Sequence, residues 1–362
     1  MKKLIKRHAV RLEFDSDSLV HLNLSGAAFI GVWLWVAGDE ACGIDRLRRL
    51  DPVGPESLRF GEPTNFPLSA FISLPGDDDE GEADLEGMAF DGRYLWVVGS
   101  HGLKRKNAKP GRSAADNARR LAKLSLDPNR LLLACIPVVV DAAGVPTLVA
   151  RAEDGRQALR LEGDDRVNAL TRLLADDPHY GRFLSLPGKD NGFDVEGLAL
   201  LDKTALLGLR GPVLRGWAGL LELRPQASGK HLQLGSLPGT ELPLRKHFLN
   251  LGGLGVRDLH MDGDDLFILA GPTMVLDGEI RLYRWTGARQ ALQACTEPAA
   301  FWPDLEVVCT LPHEPGADRA EAFCAVPRAL ARTPSWLALY DAPAPARHPE
   351  DYTVLGDLVA RA

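Results

Sequence analysis

Glu86, Glu196 and Glu321 stand at the same point of a recurring pattern, and Ser25 and Arg257 stand at that point in two further copies. Three carboxylates and a guanidinium gathered in one place could hold a divalent ion, grip a charged small molecule or move a proton. The copy around Glu86 reads Asp84-Leu85-Glu86-Gly87-Met88-Ala89-Phe90-Asp91-Gly92-Arg93-Tyr94-Leu95-Trp96-Val97-Val98-Gly99. An acidic step and a glycine lead into a short apolar run, an Asp-Gly turn and a second apolar run. That is the pattern of a β-hairpin. The steps between the five positions are 61, 110, 61 and 64 residues.

These spacings define the elements that must position the charges. In the first copy, Gly26, Phe29, Gly31, Leu34-Trp35-Val36 and Gly38 align without a gap on Gly87, Phe90, Gly92, Leu95-Trp96-Val97 and Gly99. A third strand is expected after the hairpins, at Arg120–Leu126, Gly219–Leu223 and Glu279–Trp285. About four strands in each unit of roughly sixty residues is the signature of propeller blades. The long step has room for one more unit, with Val138–Val140 and Pro146–Ala150 as a degenerate hairpin. The expected fold is therefore all-β: a β-propeller of six four-stranded blades, or of five with an insertion at 131–193. That segment also shows helical spacing at Val167, Leu170, Leu173 and Leu174. A single domain spans residues 1–362, and the strand His8–Phe14 is expected to complete the last blade and close the ring.

Composition narrows the function. The 36 Gly and 25 Pro of the 362 residues suit many short strands. A net charge of −7 argues against nucleic acid as a partner. No apolar run follows the basic start, so neither a signal peptide nor a membrane span is expected. Five cysteines without a Cys-x-x-Cys motif fit a reducing cytoplasm. Nucleophile elbows, phosphate loops, dinucleotide fingerprints and zinc-helix motifs are all missing, so no nucleotide or organic cofactor is indicated.

In a propeller the first strands line the central channel. Glu86, Glu196, Arg257 and Glu321 would then ring one end of it, with Asp39, Glu40, Ser100, His101, Arg210, Thr273 and Asp341 arriving on loops at the same mouth. Clustered carboxylates repel one another, and something must neutralise them. Arg257 could pair with one or two, a cation could serve the rest, or protons could be shared. Oxygen ligands favour Ca²⁺ or Mg²⁺. On the bland reading, the repeated Glu-Gly only permits a bulge and close strand packing.

The segment Asp194-Val195-Glu196-Gly197-Leu198-Ala199, preceded by Pro187–Gly192, resembles an uncharacterised bacterial family known only as a domain of unknown function. Asp84–Ala89, Gly99–Arg105 and Val256–Leu259 resemble the same family. The Glu-Gly strand starts are more distantly similar to esterase-like and phytase-like propellers, a likeness that implies the fold and permits a metal-dependent hydrolase. The resulting expectation is hydrolysis of a small anionic ester, phosphoester or lactone at the channel mouth. Glu86, Glu196 and Glu321 would hold the metal, Arg210, Arg257 and Lys104 the substrate anion, and His101 or Asp258 would move a proton. The alternative is a propeller that binds a ligand or a protein partner without catalysis.

Overall fold

The structure is a computed structural model that describes residues 5–16, 18–76 and 82–361. Each hairpin of the repeat starts an antiparallel sheet. The first sheet runs Leu24–Ile30, Trp33–Gly38, Gly43–Leu50 and Leu58–Pro67. The second runs Leu85–Phe90, Tyr94–Gly99 and Leu133–Val140, with Pro146–Leu148 and Leu159–Arg160 on its outer strand. The third runs Asp194–Leu201, Thr204–Gly211, Trp217–Ser228 and Leu244–Asn250. The fourth runs Gly255–Asp262, Asp265–Gly271, Ile280–Trp285 and Glu306–Leu311. The fifth runs Arg319–Ala325, Ser335–Asp341 and Thr353–Ala360, and its outer strand is Ile5–Glu13.

The first strands pack in a cycle: first on second, second on third, third on fourth, fourth on fifth and fifth on first. Strand residues alternate between faces, so each sheet feeds two cores. Leu34 and Val36 join the core shared with the fifth sheet, while Trp35 and Ala37 join the core shared with the second. Three further apolar clusters fill the remaining gaps between neighbouring sheets. This is a propeller-like all-β fold. Among the described residues, no helix is long and apolar enough to cross a membrane.

One expectation, a third strand at Arg120–Leu126, is corrected, and the segment 131–193 is built as follows. The hairpin at 138–150 does form, with Val139 opposite Thr147. It is the outer part of the second sheet, because Leu133–Pro137 pairs with Tyr94–Val98. The segment 131–193 therefore supplies outer strands and a connection rather than a separate sheet. The third strand placed at Arg120–Leu126 is instead the end of a helix, Ala114–Ala122, followed by a two-residue strand, Leu124–Ser125. Ser113 caps that helix through its hydroxyl on the Asp116 amide. Four alanines give the segment its helical propensity, while its Leu-x-Lys-Leu end mimics strand alternation.

Candidate functional site

Each first strand contains a register shift, and each shift falls at the position that repeats in the sequence. The ladder slips between Leu24 and Gly26, Leu85 and Gly87, Val195 and Leu198, Val256 and Asp258, and Ala320 and Ala322. Ser25, Glu86, Glu196, Arg257 and Glu321 are thus the bulged residues. A bulge re-aims a side chain out of the sheet's alternation, and here all five are buried at the ring. The following glycine has its own cause. A Cβ on Gly87 would lie 2.8 Å from the backbone nitrogen of Leu198, so a larger residue would push neighbouring sheets apart.

Arginines run between the carboxylates. Arg210 donates from Nη2 to Asp194 Oδ2 and holds Glu196 Oε1 2.5 Å from its Nη1. Arg257 Nη1 donates to Glu196 Oε2 at 2.9 Å and also to Glu321 Oε1. Its Nη2 donates to the Pro272 carbonyl at 2.8 Å. Arg130 Nε donates to Asp84 Oδ2 at 2.7 Å. Ser25 Oγ donates to the Leu85 carbonyl at 2.5 Å and ties the first strand to the second.

Glu86 is the exception. It is 6% exposed, and among the described residues no hydrogen bond or ion pair reaches its carboxylate. Burial, and then the charges of Glu196, Asp84 and Glu321, push its carboxyl well above the usual range.

Above these residues opens a cavity of about 320 Å³. Glu86, Arg210, Arg257, Glu321 and Lys104 line it, joined by Asp39, Glu40 and Asp341 from loops. Glu196 lies behind its two arginines. Burial and the neighbouring Asp341 raise the Asp39 carboxyl to about 8. Burial and Glu321 raise Asp341 to about 6. Burial, with Arg130 nearby, lowers Lys104 to about 8.

The sign of the Asp39 effect gives a test. An unfolded aspartate releases its proton near about pH 4, whereas the folded one keeps it to about 8. Stability linked to this group is complete at low pH and is lost as pH rises through that window. Asp39→Asn should therefore stabilise by about 0.5–2 kcal/mol in urea unfolding at alkaline pH. The gain should grow from about pH 5 to about pH 8 and then level off. A gain that does not depend on pH would show that Asp39 is not strained by ionisation.

The two residues expected to move protons lie in the walls and do not line the cavity. His101 is buried, its Nδ1–H donating to the Gly99 carbonyl at 2.8 Å and its Nε2 accepting from the Asn168 amide at 2.8 Å. Burial lowers its pKa to about 4, so the ring is neutral with both nitrogens occupied. Asp258 accepts the Leu259 amide at 2.7 Å and the Phe323 amide at 2.8 Å, linking the fourth sheet to the fifth. Of the three carboxylates expected to hold a metal, two are engaged by arginine. Glu196 and Glu321 share one guanidinium nitrogen, and an ion between them would meet that charge. Among the described residues, no group of three or more His, Cys, Asp and Glu is placed to hold a metal. The acidic run at 77–81 lies outside the described residues.

The sequence reading missed Asp84, Asp194 and Arg130. The signal for the first two was present: Asp-x-Glu occurs in both Asp84-Leu85-Glu86 and Asp194-Val195-Glu196. Arg130 lies 46 residues from Asp84, and no local pattern marks it.

A family model described as "Protein of unknown function (DUF3616)" matches residues 23–357. No curated protein matches the chain. Among solved structures, a putative oxidoreductase (glucose dehydrogenase) from Thermus thermophilus is 12% identical, with 98% of each chain covered and a TM-score of 0.36. The PQQ-bound aldose sugar dehydrogenase from Streptomyces coelicolor is 12% identical over 98% of this chain and 97% of that one, at a TM-score of 0.34. The computationally designed protein Ika8 is 10% identical over 98% and 100%, at 0.32. Likenesses at this level assign neither a cofactor nor a reaction.

Proposed function

This chain belongs to the DUF3616 family of proteins of unknown function, and we propose that its channel mouth binds a small, positively charged organic molecule. The five sheets are read as five blades, with the strand Ile5–Glu13 completing the last blade and closing the ring. The observation that carries the reading is Glu86. The arginines of the mouth are engaged by Asp84, Asp194, Glu196 and Glu321, which leaves them little capacity for the anionic substrate expected from sequence. Glu86 is a buried carboxyl left unmatched; Asp39 is also held above its usual range, and Asp341 meets Arg319 only at 3.9 Å. A ligand ammonium would supply the missing charge and draw these groups into their ionised form.

Melting curves with methylammonium, 1,4-diaminobutane, Ca²⁺ and Mg²⁺ test this. An ammonium at a hundredfold over its Kd should stabilise by about 2.7 kcal/mol, and Glu86→Gln should abolish the shift. No shift with any cation would overturn the reading.

Hydrolysis at the same mouth is the second reading, favoured by the same side chain. A buried carboxyl held well above the usual carboxylate range beside a cavity is suited to general acid work. Glu86→Gln would then abolish turnover while a substrate analogue still binds, which separates an enzyme from a pure binder.

A further inference from the structure

The rim of this mouth carries a feature that a purely ionic site does not need. The loop after the second strand of the fourth sheet presents Met274, Val275 and Leu276, which are 37%, 66% and 55% exposed. All three line the charged cavity. Leu103 and Leu121 line it from the long loop of the second sheet. Leu121 sits on the helix Ala114–Ala122, none of whose residues is buried. Aliphatic side chains left in water at two separate edges of one cavity mark apolar contact surface for something that enters it. The unpartnered Glu86 lies below them, more than nine-tenths buried and within the same cavity.

We propose that the ligand class of this site is a cationic amphiphile, with its ammonium group at Glu86 and its hydrocarbon chain between the 274–276 loop and Leu103 and Leu121. This deepens the cation-binding reading and rests on it. A carboxylate only 6% exposed is open to a slender head group and closed to the surface of a folded partner. An ionised Glu86 would repel the carboxylate of a fatty acid or other anionic amphiphile. A neutral lipid would leave Glu86 without a counterion.

Calorimetric titration of the full chain at pH 8.5 with ethyl-, butyl-, hexyl- and octylammonium chloride tests the class. Kd should fall with each methylene by up to about fourfold. The double variant Val275→Ser, Leu276→Ser should flatten that dependence, and these residues are exposed enough that folding is unaffected. Glu86→Gln should weaken every member about tenfold or more while leaving the dependence on length intact. If ethylammonium binds but Kd does not change with chain length, the amphiphile class is wrong and the cation site stands. If no ammonium of any length binds, the cation reading fails and takes this inference with it. Equal binding of octanoate would overturn it, because the site would then select only for chain. Sedimentation of both proteins completes the test: a wild-type dimer that Val275→Ser, Leu276→Ser makes monomeric would assign the rim to a second copy and overturn the proposal.

Discussion

Exchanging Arg257 for leucine should lower stability by about 3–5 kcal/mol, the range for breaking a buried pair by removing one partner. One nitrogen of this side chain serves both Glu196 and Glu321, and the other donates to the Pro272 carbonyl. Without it, two carboxylates remain buried beside the already unmatched Glu86. The loss should be largely reversed in a triple variant that adds Glu196→Gln and Glu321→Gln. Removing all the charges of a buried network is often close to neutral. Urea unfolding at one pH compares the three proteins. A single-variant loss below about 1 kcal/mol, the range of an exposed pair, would mean that Arg257 does not neutralise the ring.

A second large effect is expected far from the mouth. Arg347 is fully buried. Its Nε donates to Asp318 at 2.7 Å, and its Nη1 donates to Asp357 Oδ1 at 2.9 Å and to the Leu355 carbonyl at 3.0 Å. Its guanidinium lies 3.6 Å from the Tyr340 ring centroid. Asp357 also accepts the Tyr340 hydroxyl at 2.7 Å and the His8 amide at 2.8 Å. Arg347→Met should cost about 3–5 kcal/mol by leaving Asp357 without a charged partner and Asp318 with only the half-exposed Arg7, at 3.7 Å. Burial alone would raise the Asp357 carboxyl, but the hydrogen bonds and charge of Arg347 hold it below its usual range. Its contribution is therefore present above the unfolded aspartate pKa and is lost as pH falls through the folded value. In the variant that loss should shrink or reverse, because burial is then left to raise the carboxyl. Hydrogen exchange should show amides of Ile5–Glu13 opening first. If protection there is unchanged, the cluster does not anchor that strand.

The parts of this fold that were legible are those written locally. Asp91 accepts the amides of Arg93 and Tyr94 at 2.8 and 2.7 Å, so the turn that shapes the second hairpin lies within four residues of sequence. Glycines 26, 87 and 197 marked the bulged strand starts for the same reason. What stayed hidden depends on the ring being assembled. The third strand of the second sheet begins at Leu133 because that segment meets Tyr94–Val98 in space, and the helical loop before it looked like a strand. The charged positions were found, and Arg257 was named as a partner for one or two carboxylates, but the role of Arg210 as a partner of Asp194 and Glu196 was not. Arg210 meets Glu196 within one hairpin, but the Arg257 nitrogen shared by Glu196 and Glu321 depends on how three sheets meet, and repeat spacing carries no record of that. His101 shows the same limit. It sits at the end of a hairpin strand as expected, yet Asn168, from a distant helix cap, occupies its free nitrogen.

The outer strand of the fifth sheet has a consequence for how the chain is made. Ile5 lies opposite Val359, so the earliest of these strands to leave the ribosome finds its antiparallel partner last. Its other edge pairs in parallel with the first sheet, Val10 with Leu58 and Leu12 with Phe60. A temporary berth for the early strand is thus translated long before its final neighbour. Loop closure over such a separation costs little in stability, because the entropy grows only with the logarithm of length. It weighs on rate instead, since non-local pairings slow folding. The parallel contact offers that strand an edge on its own chain while its antiparallel partner is still to be made.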